Sequence, residues 1–358
     1  MSLSTMNVKK ILSLAASIIK LFIIILLFTA NSKSEERNIK YYSEDKGILS
    51  LMYHRFDEDK YPSTNIQMDI FKQQIEIIRN LEYSFYDPKN LKENFYTPKV
   101  EKKILITIDD AFSSFYEIAW PYLKAEEIPF ILFVSTKAVG GNGYMTWDQI
   151  RELEKENKVY IGNHSHAHNY LVDLKNEEFI SDIINSSEIF TQKLGYNPIF
   201  FSYPFGEYSA RIKNYISKNF QFSFGQHSGL IDVNKDPYEL PRFPINKKYG
   251  DLKRFKFLIN LYPLQYKTLY PDEKYLIDDN NPPKFLVEFF DDQKNIGNIN
   301  CFSNEGDVWE KSNINFVQNT LKLNFRKKFN FRRGRVNCSL NDNGIWRWFG
   351  VQFSIKQN

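Results

Sequence analysis

Several scarce features limit what this sequence can be. The 358 residues include only two cysteines, Cys301 and Cys338, which allow at most one disulfide; two buried free thiols are the alternative. The formal net charge of +4 is too small to indicate a nucleic-acid partner, and no RNA-binding motif is present. The glycine-rich residues 140–143 lack the GK[ST] ending of a phosphate-binding loop. These absences leave an ordinary globular chain of one large domain or two smaller ones.

The N-terminus carries a long hydrophobic run. Lys9 and Lys10 precede apolar residues 11–30, and the small residues Ala30 and Ser32 fit a signal-peptide cleavage site. An uncleaved membrane anchor is the alternative, because a run of about 20 apolar residues spans a bilayer. We predict a signal peptide or anchor at residues 1–32 and a polar linker at 33–46. The protein is therefore expected to be exported: periplasmic, extracellular or anchored to the outer side of the cytoplasmic membrane.

Histidine is rare but clustered. Three of the five histidines, His164, His166 and His168, fall within one short segment that follows a strand-like run. Imidazole is the commonest protein ligand for zinc-like metals, so the cluster indicates a metal site. In a helical turn His164 and His168 share one face and His166 points away, whereas in an extended segment all three line one face. Such a spacing also arises by chance, which leaves an ordinary structural role open.

Two adjacent carboxylates strengthen the metal interpretation. Residues 104–108 form an apolar, β-branched run typical of a buried strand, and Asp109 and Asp110 follow it directly. Proteins of the α/β class usually place their chemistry at the C-terminal ends of strands. A solvated turn or a helix N-cap is the alternative for such a pair. Two histidines with one carboxylate are typical of catalytic rather than structural metal sites.

Both segments resemble motifs of a known enzyme family. Residues 107–111, TIDDA, are similar to the TFDDG motif of the polysaccharide deacetylases, carbohydrate esterase family 4 with the NodB homology domain. Residues 164–168, HSHAH, resemble the H(S/T)xxH motif of the same family. The order and separation of the motifs also fit, and the resemblance covers roughly residues 47–260. Within the family, the chain is most similar in character to the poly-N-acetylglucosamine-type deacetylases.

The resemblance implies a site centred on a divalent metal ion. Asp110, His164 and His168 are the implied ligands, with zinc as the expected metal and cobalt or nickel as alternatives. Asp109 is the implied catalytic base. Because adjacent side chains of a strand point to opposite faces, both carboxylates serve one site only if they lie in the loop beyond the strand. His166 is left without a defined role.

Four further residues are candidates for the site. His227 follows a strand-like run and is the expected general acid, with a structural role as the alternative. Tyr203 lies in SYPFG, which resembles the family's third motif, where a backbone N–H helps to form an oxyanion hole. The usual arginine of that motif is absent; Arg242 is expected to replace it from a later strand end, or else is a surface residue. His54, after the first strand, lines the site or is structural.

Alternating strand-like and helix-like runs indicate the fold class. Over residues 47–271 they predict a parallel, barrel-like catalytic domain, and the resemblance implies the same: an α/β distorted (β/α) barrel of the NodB-homology type. Residues 272–283, rich in Asp, Asn and Pro, are the predicted linker. Short alternating runs over 284–358 predict a smaller all-β, sandwich-like C-terminal domain. A basic cluster at residues 326–335 is expected to contact an anionic glycan or lipid headgroup, or to be a solvated hairpin.

The features together predict a hydrolase that acts on carbon–nitrogen bonds. The expected reaction is metal-dependent removal of N-acetyl groups from an amino-sugar polysaccharide of an exopolysaccharide or cell wall, with a metal-activated water attacking the acetamide carbonyl. The alternatives are an O-acetyl esterase acting on a glycan, and a non-catalytic carbohydrate-binding or assembly module. The expected partners are an acetylated glycan and, through the N-terminal segment, a membrane.

Overall fold

The structure, a computed structural model, describes residues 44–306 and 308–357. The predicted signal peptide or anchor at residues 1–32 lies outside the described residues, as does most of the predicted linker at 33–46. Among the residues described, no helix combines the length and the apolar character that crossing a bilayer requires.

The first part of the chain builds a parallel sheet. Its central strands are buried apolar runs, as expected where helices cover both faces of a sheet. The strands are β1 Ile48–Tyr53, β2 Arg55–Phe56, β3 Asn65–Ile66, β4 Ser84–Phe85, β5 Lys103–Ile108, β6 Phe130–Val134, β7 Val159–Asn163, β8 Phe200–Ser202, β9 Phe222–Phe224 and β10 Phe243–Pro244. The order is β10-β1-β5-β6-β7-β8-β9 with β4 beside β5, while β2 and β3 pair separately. All of these neighbours run parallel, so the predicted barrel is confirmed as a parallel half-barrel.

Helices connect these strands and end where the sequence signals predict. Thr146 and Gln149 form a capping box at the start of one helix, and Gly195 closes the longest one in the left-handed conformation that glycine favours. A π-helical turn, Phe115–Ala119, directly precedes the α-helix Trp120–Ala125, which has a proline in its first turn. The α-helices are Met68–Asn80, Leu91–Asn94, Trp120–Ala125, Trp147–Glu154, Asn176–Leu194, Ala210–Asn219 and Leu252–Leu258. Short 3₁₀ turns cover Pro88–Asn90, Leu171–Asp173, Pro204–Gly206, Asp278–Asn280 and Ile296–Asn298.

The later part of the chain is all-β, as predicted. Its strands are β11 Tyr262–Pro263, β12 Thr268–Tyr270, β13 Tyr275–Leu276, β14 Phe285–Glu288, β15 Asn300–Ser303, β16 Glu310–Lys311, β17 Asn313–Val317, β18 Thr320–Asn324, β19 Arg333–Asp342 and β20 Ile345–Ile355. One sheet has the order β11-β20-β19-β15-β16 with β13 on β20, and a second has the order β12-β14-β18-β17. Residues of both sheets share one apolar core, in which a disulfide joins Cys301 of β15 to Cys338 of β19.

Strand β20 links the two parts of the molecule. It pairs in parallel with β11 and β13, and Phe349 forms a bridge with Gly229, which lies between β9 and β10. The described residues accordingly form one compact unit. Residues 272–283 contain β13 and a 3₁₀ turn, and the division of the chain at that segment stays a prediction.

Candidate active site

The polar candidates gather at the carboxyl ends of the parallel strands. Asp109 and Asp110 follow β5, His54 follows β1, and His164 follows β7. The two carboxylates therefore lie in the loop beyond the strand. Parallel neighbours bring their carboxyl ends to the same edge of the sheet, so residues far apart in sequence meet there.

Asp109 lies at the bottom of the site in a buried ion pair with Arg242. Both side chains are fully buried, which excludes Arg242 as a surface residue. The two terminal guanidinium nitrogens bind the two carboxylate oxygens at 2.7 and 2.9 Å. The remaining donors of the guanidinium reach Thr107 Oγ1, Ser202 Oγ and the Gly225 carbonyl at 3.2, 2.8 and 2.9 Å. Every N–H of this arginine thus has an acceptor, as a buried cation requires.

The two neighbouring carboxyls have opposite pKa shifts. Burial acts to raise the pKa of Asp109, but the charge of Arg242, helped by His164, outweighs it and lowers that pKa to about 2. Burial raises the pKa of Asp110 to about 6, against the influence of His54. The Asp110 side chain retains 15% exposure, while Asp109 has none. One carboxyl is therefore held ionised below the cavity, and the other faces the cavity itself.

Asp110, His164 and His168 form a group that could hold a metal ion. One ligand atom from each lies within 4.8 Å of the others. Asp110 Oδ1 is 3.5 Å from His164 Nε2 and 3.3 Å from His168 Nε2. His164 Nδ1 donates to the Ser202 carbonyl at 2.7 Å, and because a carbonyl only accepts, the proton resides on Nδ1 and the Nε2 lone pair faces the group.

The ionisation of the histidines also suits a metal site. Burial is the main cause that lowers the pKa of both rings, to about 3 for His164, so both are neutral at pH 7. Metal ions bind the neutral imidazole. Two neutral imidazoles and one carboxylate make a donor set of the zinc type, with further positions left for water and substrate.

The segment carrying the histidines is neither helix nor strand but a tight bend. Asp182, on the helix Asn176–Leu194, accepts hydrogen bonds from the main-chain N–H groups of His166 and Ala167, both at 2.9 Å. The His168 N–H donates to Ser165 Oγ at 3.0 Å. His164 and His168 converge, with ring centroids 4.8 Å apart. His166 instead contacts Thr136 Oγ1 through Nδ1 at 2.9 Å.

Several non-glycine residues around the site have backbone angles in the left-handed region. Residues held there cost on the order of 1–3 kcal/mol each and cluster at functional sites. The surrounding hydrogen bonds must supply that free energy. The residues are Asp110, Ala111, Ser165, His168 and Phe205, with φ of 75°, 55°, 66°, 53° and 60°.

A cavity of about 640 Å³ opens above this group. Asp110 and His168 line it together with His54 and His227, so the structure brings these four predicted residues to one space. Burial, helped by the charges of Lys235 and Lys274, lowers the pKa of His227 to about 3. A second cavity of about 400 Å³ lies on the side of His166 and shares Asp110 and His168.

Tyr203 is not brought to the cavity. Its ring is buried in the core, its hydroxyl contacts the Tyr238 carbonyl, and its main-chain N–H donates to Phe224 O at 3.0 Å. The residue of this motif that lines the cavity is Phe205, whose ring packs on His168 with centroids 4.6 Å apart. The turn is tight because Gly206 has φ +68° and a Cβ there would lie 2.5 Å from the Gln226 nitrogen.

Sequence reasoning missed three residues that fix the site. Ser202 offers its carbonyl to His164 and its hydroxyl to Arg242, and Asp182 holds the bend between the histidines. Phe205 supports His168 from the other side. The motif SYPFG did contain Ser202 and Phe205, but nothing in its pattern shows which side chain faces the cavity. Asp182 belongs to an amphipathic helix, where a single acidic residue carries no signal.

Comparison with known proteins shows which family the chain resembles. Residues 97–222 match the family model described as polysaccharide deacetylase. The poly-beta-1,6-N-acetyl-D-glucosamine N-deacetylase of Staphylococcus epidermidis is 22% identical over 245 residues, which cover 60% of this chain and 85% of that protein. The corresponding enzyme of Staphylococcus aureus is 23% identical over 239 residues, with 59% and 82% covered.

Solved structures support the same fold. IcaB from Ammonifex degensii superposes with a TM-score of 0.55 at 22% identity, covering 60% of this chain and 97% of that one. The deacetylase PplD of Streptococcus pyogenes, solved in complex with acetate, gives a TM-score of 0.54 at 20% identity, covering 60% and 98%. The parallel half-barrel is therefore of the NodB type.

Proposed function

We propose that this chain, whose residues 97–222 match the polysaccharide deacetylase model, is a hydrolase that removes N-acetyl groups from a poly-N-acetylglucosamine polysaccharide. The observation that carries the proposal is the convergence of Asp110, His164 and His168 beside the buried Asp109–Arg242 pair. We further propose that the enzyme is exported, because of the predicted signal or anchor at residues 1–32.

Asp110, His164 and His168 are the proposed ligands of a divalent ion, with zinc favoured by the two imidazoles. When bound, such an ion lowers the pKa of a water molecule and polarises the acetamide carbonyl. Ser202 contributes by fixing the His164 ring through Nδ1, and Asp182 by fixing the bend that carries His168. His166 lies outside this ligand set.

Asp109 is the proposed acceptor of the proton that the attacking water loses. Arg242 keeps this carboxylate ionised at neutral pH and binds both of its oxygens, so that its position is fixed before substrate arrives. Asp109 Oδ2 is 3.9 Å from His164 Nε2, which puts the proposed base beside the ligand group. Arg242 thereby takes the part of the arginine that the sequence motif lacks.

His227 is the proposed donor of a proton to the leaving amine. Its ring is neutral at rest, so it takes up a proton from solvent in the cavity as negative charge develops on the substrate, and it passes that proton to the leaving nitrogen. For the oxyanion we propose the main-chain N–H of Phe205 rather than that of Tyr203, because Phe205 lines the cavity and the Tyr203 N–H is bonded within the sheet. His54 remains a proposed contact to substrate at the cavity wall.

The proposal is tested by acetate release from N-acetylglucosamine oligomers. We expect the zinc-loaded chain to release acetate, chelation to abolish the release, and Asp109→Asn to lower kcat by about 10²-fold or more. Asp110→Ala should in addition lose bound metal, measured by elemental analysis. Asp148→Ala is the control, because Asp148 is exposed, lies on the helix Trp147–Glu154 and does not line the cavity.

Three results would redirect the proposal. Release of acetate only from O-acetylated glycans, acetylated xylan among them, would make the protein an esterase. Glycan binding without acetate from any substrate would support a non-catalytic module. Full activity after chelation would remove the metal from the proposal.

A further inference from the structure

The cavity beside the proposed metal ligands is far larger than an acetamide group requires. Its volume of about 640 Å³ lies in the range of roughly 300–1,000 Å³ that holds whole ligand molecules. Residues of the C-terminal sheets make up one wall of it, and no step of the proposed reaction uses them. We call these residues the C-terminal wall: Trp309, Arg333, Arg335, Asn337, Trp348 and Val351.

Hydrogen bonds fix the C-terminal wall against the catalytic loops. Ser228, next to His227, donates through its hydroxyl to Asn337 Oδ1 at 2.8 Å and accepts from Trp348 Nε1 at 2.9 Å. Arg333 Nε donates to the buried carboxylate of Glu207 at 2.9 Å. The wall is therefore a built part of the cavity and not a loosely apposed surface.

Trp309 differs from the rest of the wall in its exposure. It lies just before β16 and remains 43% exposed at the cavity. An indole ring at a cavity leaves a large flat apolar surface in contact with water, which a bound ligand could cover. Trp346 of β20 is similarly exposed, at 38%, but lies outside the cavity and packs against Phe257 with centroids 6.0 Å apart.

The chemistry of the wall matches a pyranose ring. Such a ring has an apolar face of C–H groups and a rim of hydroxyls that donate and accept hydrogen bonds. The indole of Trp309 offers an apolar plane, and Asn337 and Arg335 offer polar groups beside it. Arg333 shares the buried carboxylate of Glu207 with Arg332, which also pairs with Asp173.

We propose that the C-terminal wall forms a sugar subsite of the deacetylase cavity, in which Trp309 binds the apolar face of a pyranose next to the acetylated one. The inference rests on the proposed function, because it assigns the neighbouring unit of the same polymer. Of the basic cluster at residues 326–335, Arg333 and Arg335 line the cavity. Arg326 is instead paired with the buried Glu305.

The test separates sugar binding from catalysis. Acetate release from an N-acetylglucosamine pentamer gives KM and kcat for the zinc-loaded full chain, and calorimetry with the glucosamine pentamer, which carries no acetyl group, gives binding without turnover. We expect Trp309→Ala to raise KM and weaken pentamer binding by about tenfold each, with a smaller change in kcat, and Trp309→Phe to restore most of the affinity.

Trp346→Ala is the matched control, with the same residue type and similar exposure outside the cavity. The inference is overturned if Trp309→Ala and Trp346→Ala bind the pentamer equally well. It also fails, with the proposed function intact, if the wild-type chain releases acetate and Trp309→Ala leaves KM unchanged. If the wild-type chain releases no acetate at all, the proposed function fails and the calorimetric comparison still decides the subsite.

Discussion

The floor of the cavity, formed by the Asp109–Arg242 pair, and the C-terminal wall hold charged side chains in different ways. On the floor, Arg242 and Asp109 are fully buried, and all acceptors of the arginine belong to the parallel half-barrel and its loops. At the wall, Arg333 keeps partial exposure and pairs across the junction with Glu207. The floor is complete within one part of the chain, whereas the wall depends on the contact between two parts. Substitutions in the floor should therefore lower both the free energy of unfolding and the catalytic rate. Substitutions at the wall should instead shift the neighbouring loops or weaken substrate binding.

The largest effect is expected on the floor. Arg242→Met leaves Asp109 buried without its counter-charge, and breaking a buried ion pair in this way costs about 3–5 kcal/mol of unfolding free energy. Urea denaturation measures the loss, and acetate release should fall to background because the proposed base is no longer held ionised. Arg79→Met is the control, since Arg79 pairs with Glu126 at the surface and should cost under about 1 kcal/mol. Equal losses in the two variants would mean that the buried Asp109–Arg242 pair contributes no more to stability than a surface ion pair.

A smaller effect is expected at Gln352, which supports the turn that carries Phe205 and Gly206. Gln352 of β20 is buried, and its amide nitrogen donates to the carbonyls of Phe205 and Gly206 at 3.2 and 3.3 Å. Gln352→Leu removes both donors at nearly constant volume, which should cost about 1–3 kcal/mol and lower kcat more than it raises KM. Steady-state kinetics with the N-acetylglucosamine pentamer measure kcat and KM separately. Gln73→Leu, at an exposed glutamine, serves as control. A change confined to KM in Gln352→Leu would remove the positioning role.

The third effect concerns Lys102, at the junction of the two parts. Its ammonium is buried over the ring of Tyr262 at 3.9 Å, without a hydrogen-bond partner among the described residues, and burial lowers its pKa from 10.5 to about 7. The unfolded chain keeps the ordinary pKa, so between about pH 7 and 10.5 it binds more protons than the folded protein and stability rises with pH.

Lys102→Met should therefore stabilise the protein most at and below pH 7. We expect a gain on the order of 1–3 kcal/mol at pH 6, because each pH unit by which a pKa is displaced corresponds to about 1.4 kcal/mol and the Tyr262 ring recovers part of the cost. The gain should fall towards pH 10 in urea denaturation series. A gain of the same size at pH 6 and pH 10 would mean that folding does not lower the pKa of Lys102. Lys103→Met, at a partly exposed lysine paired with Glu101, is the control.

The sequence was most informative where local chemistry decides the structure. The apolar run before Asp109 predicted strand β5 and the loop position of both carboxylates, because a β-branched run ends where polar residues begin. The longest helix ends where a local signal stands, since Gly195 supplies its left-handed C-terminal residue. Arg242 was anticipated from its place at a late strand end, and it lies 2.7 Å from Asp109.

Long-range geometry was the part that the sequence did not reveal. Whether Tyr203 or Phe205 faces the cavity depends on the positive φ of Phe205, a turn that is held by distant partners such as Gln352. The C-terminal wall was equally hidden, because alternating short strands predict a β-rich region but not the surface against which it packs. The neutral state of His227 follows from burial, which no spacing of residues indicates.

The pairing of β20 has a consequence for how the enzyme is made. This strand follows every other strand in chain order, yet it contacts β11 and β13 and reaches the loops that carry Phe205 and Ser228. During synthesis, the half-barrel emerges first and its cavity stays open on one side until Ile345–Ile355 arrives. We therefore expect catalytic competence to be acquired late, because the proposed metal ligands are all synthesised before the strand that closes the cavity.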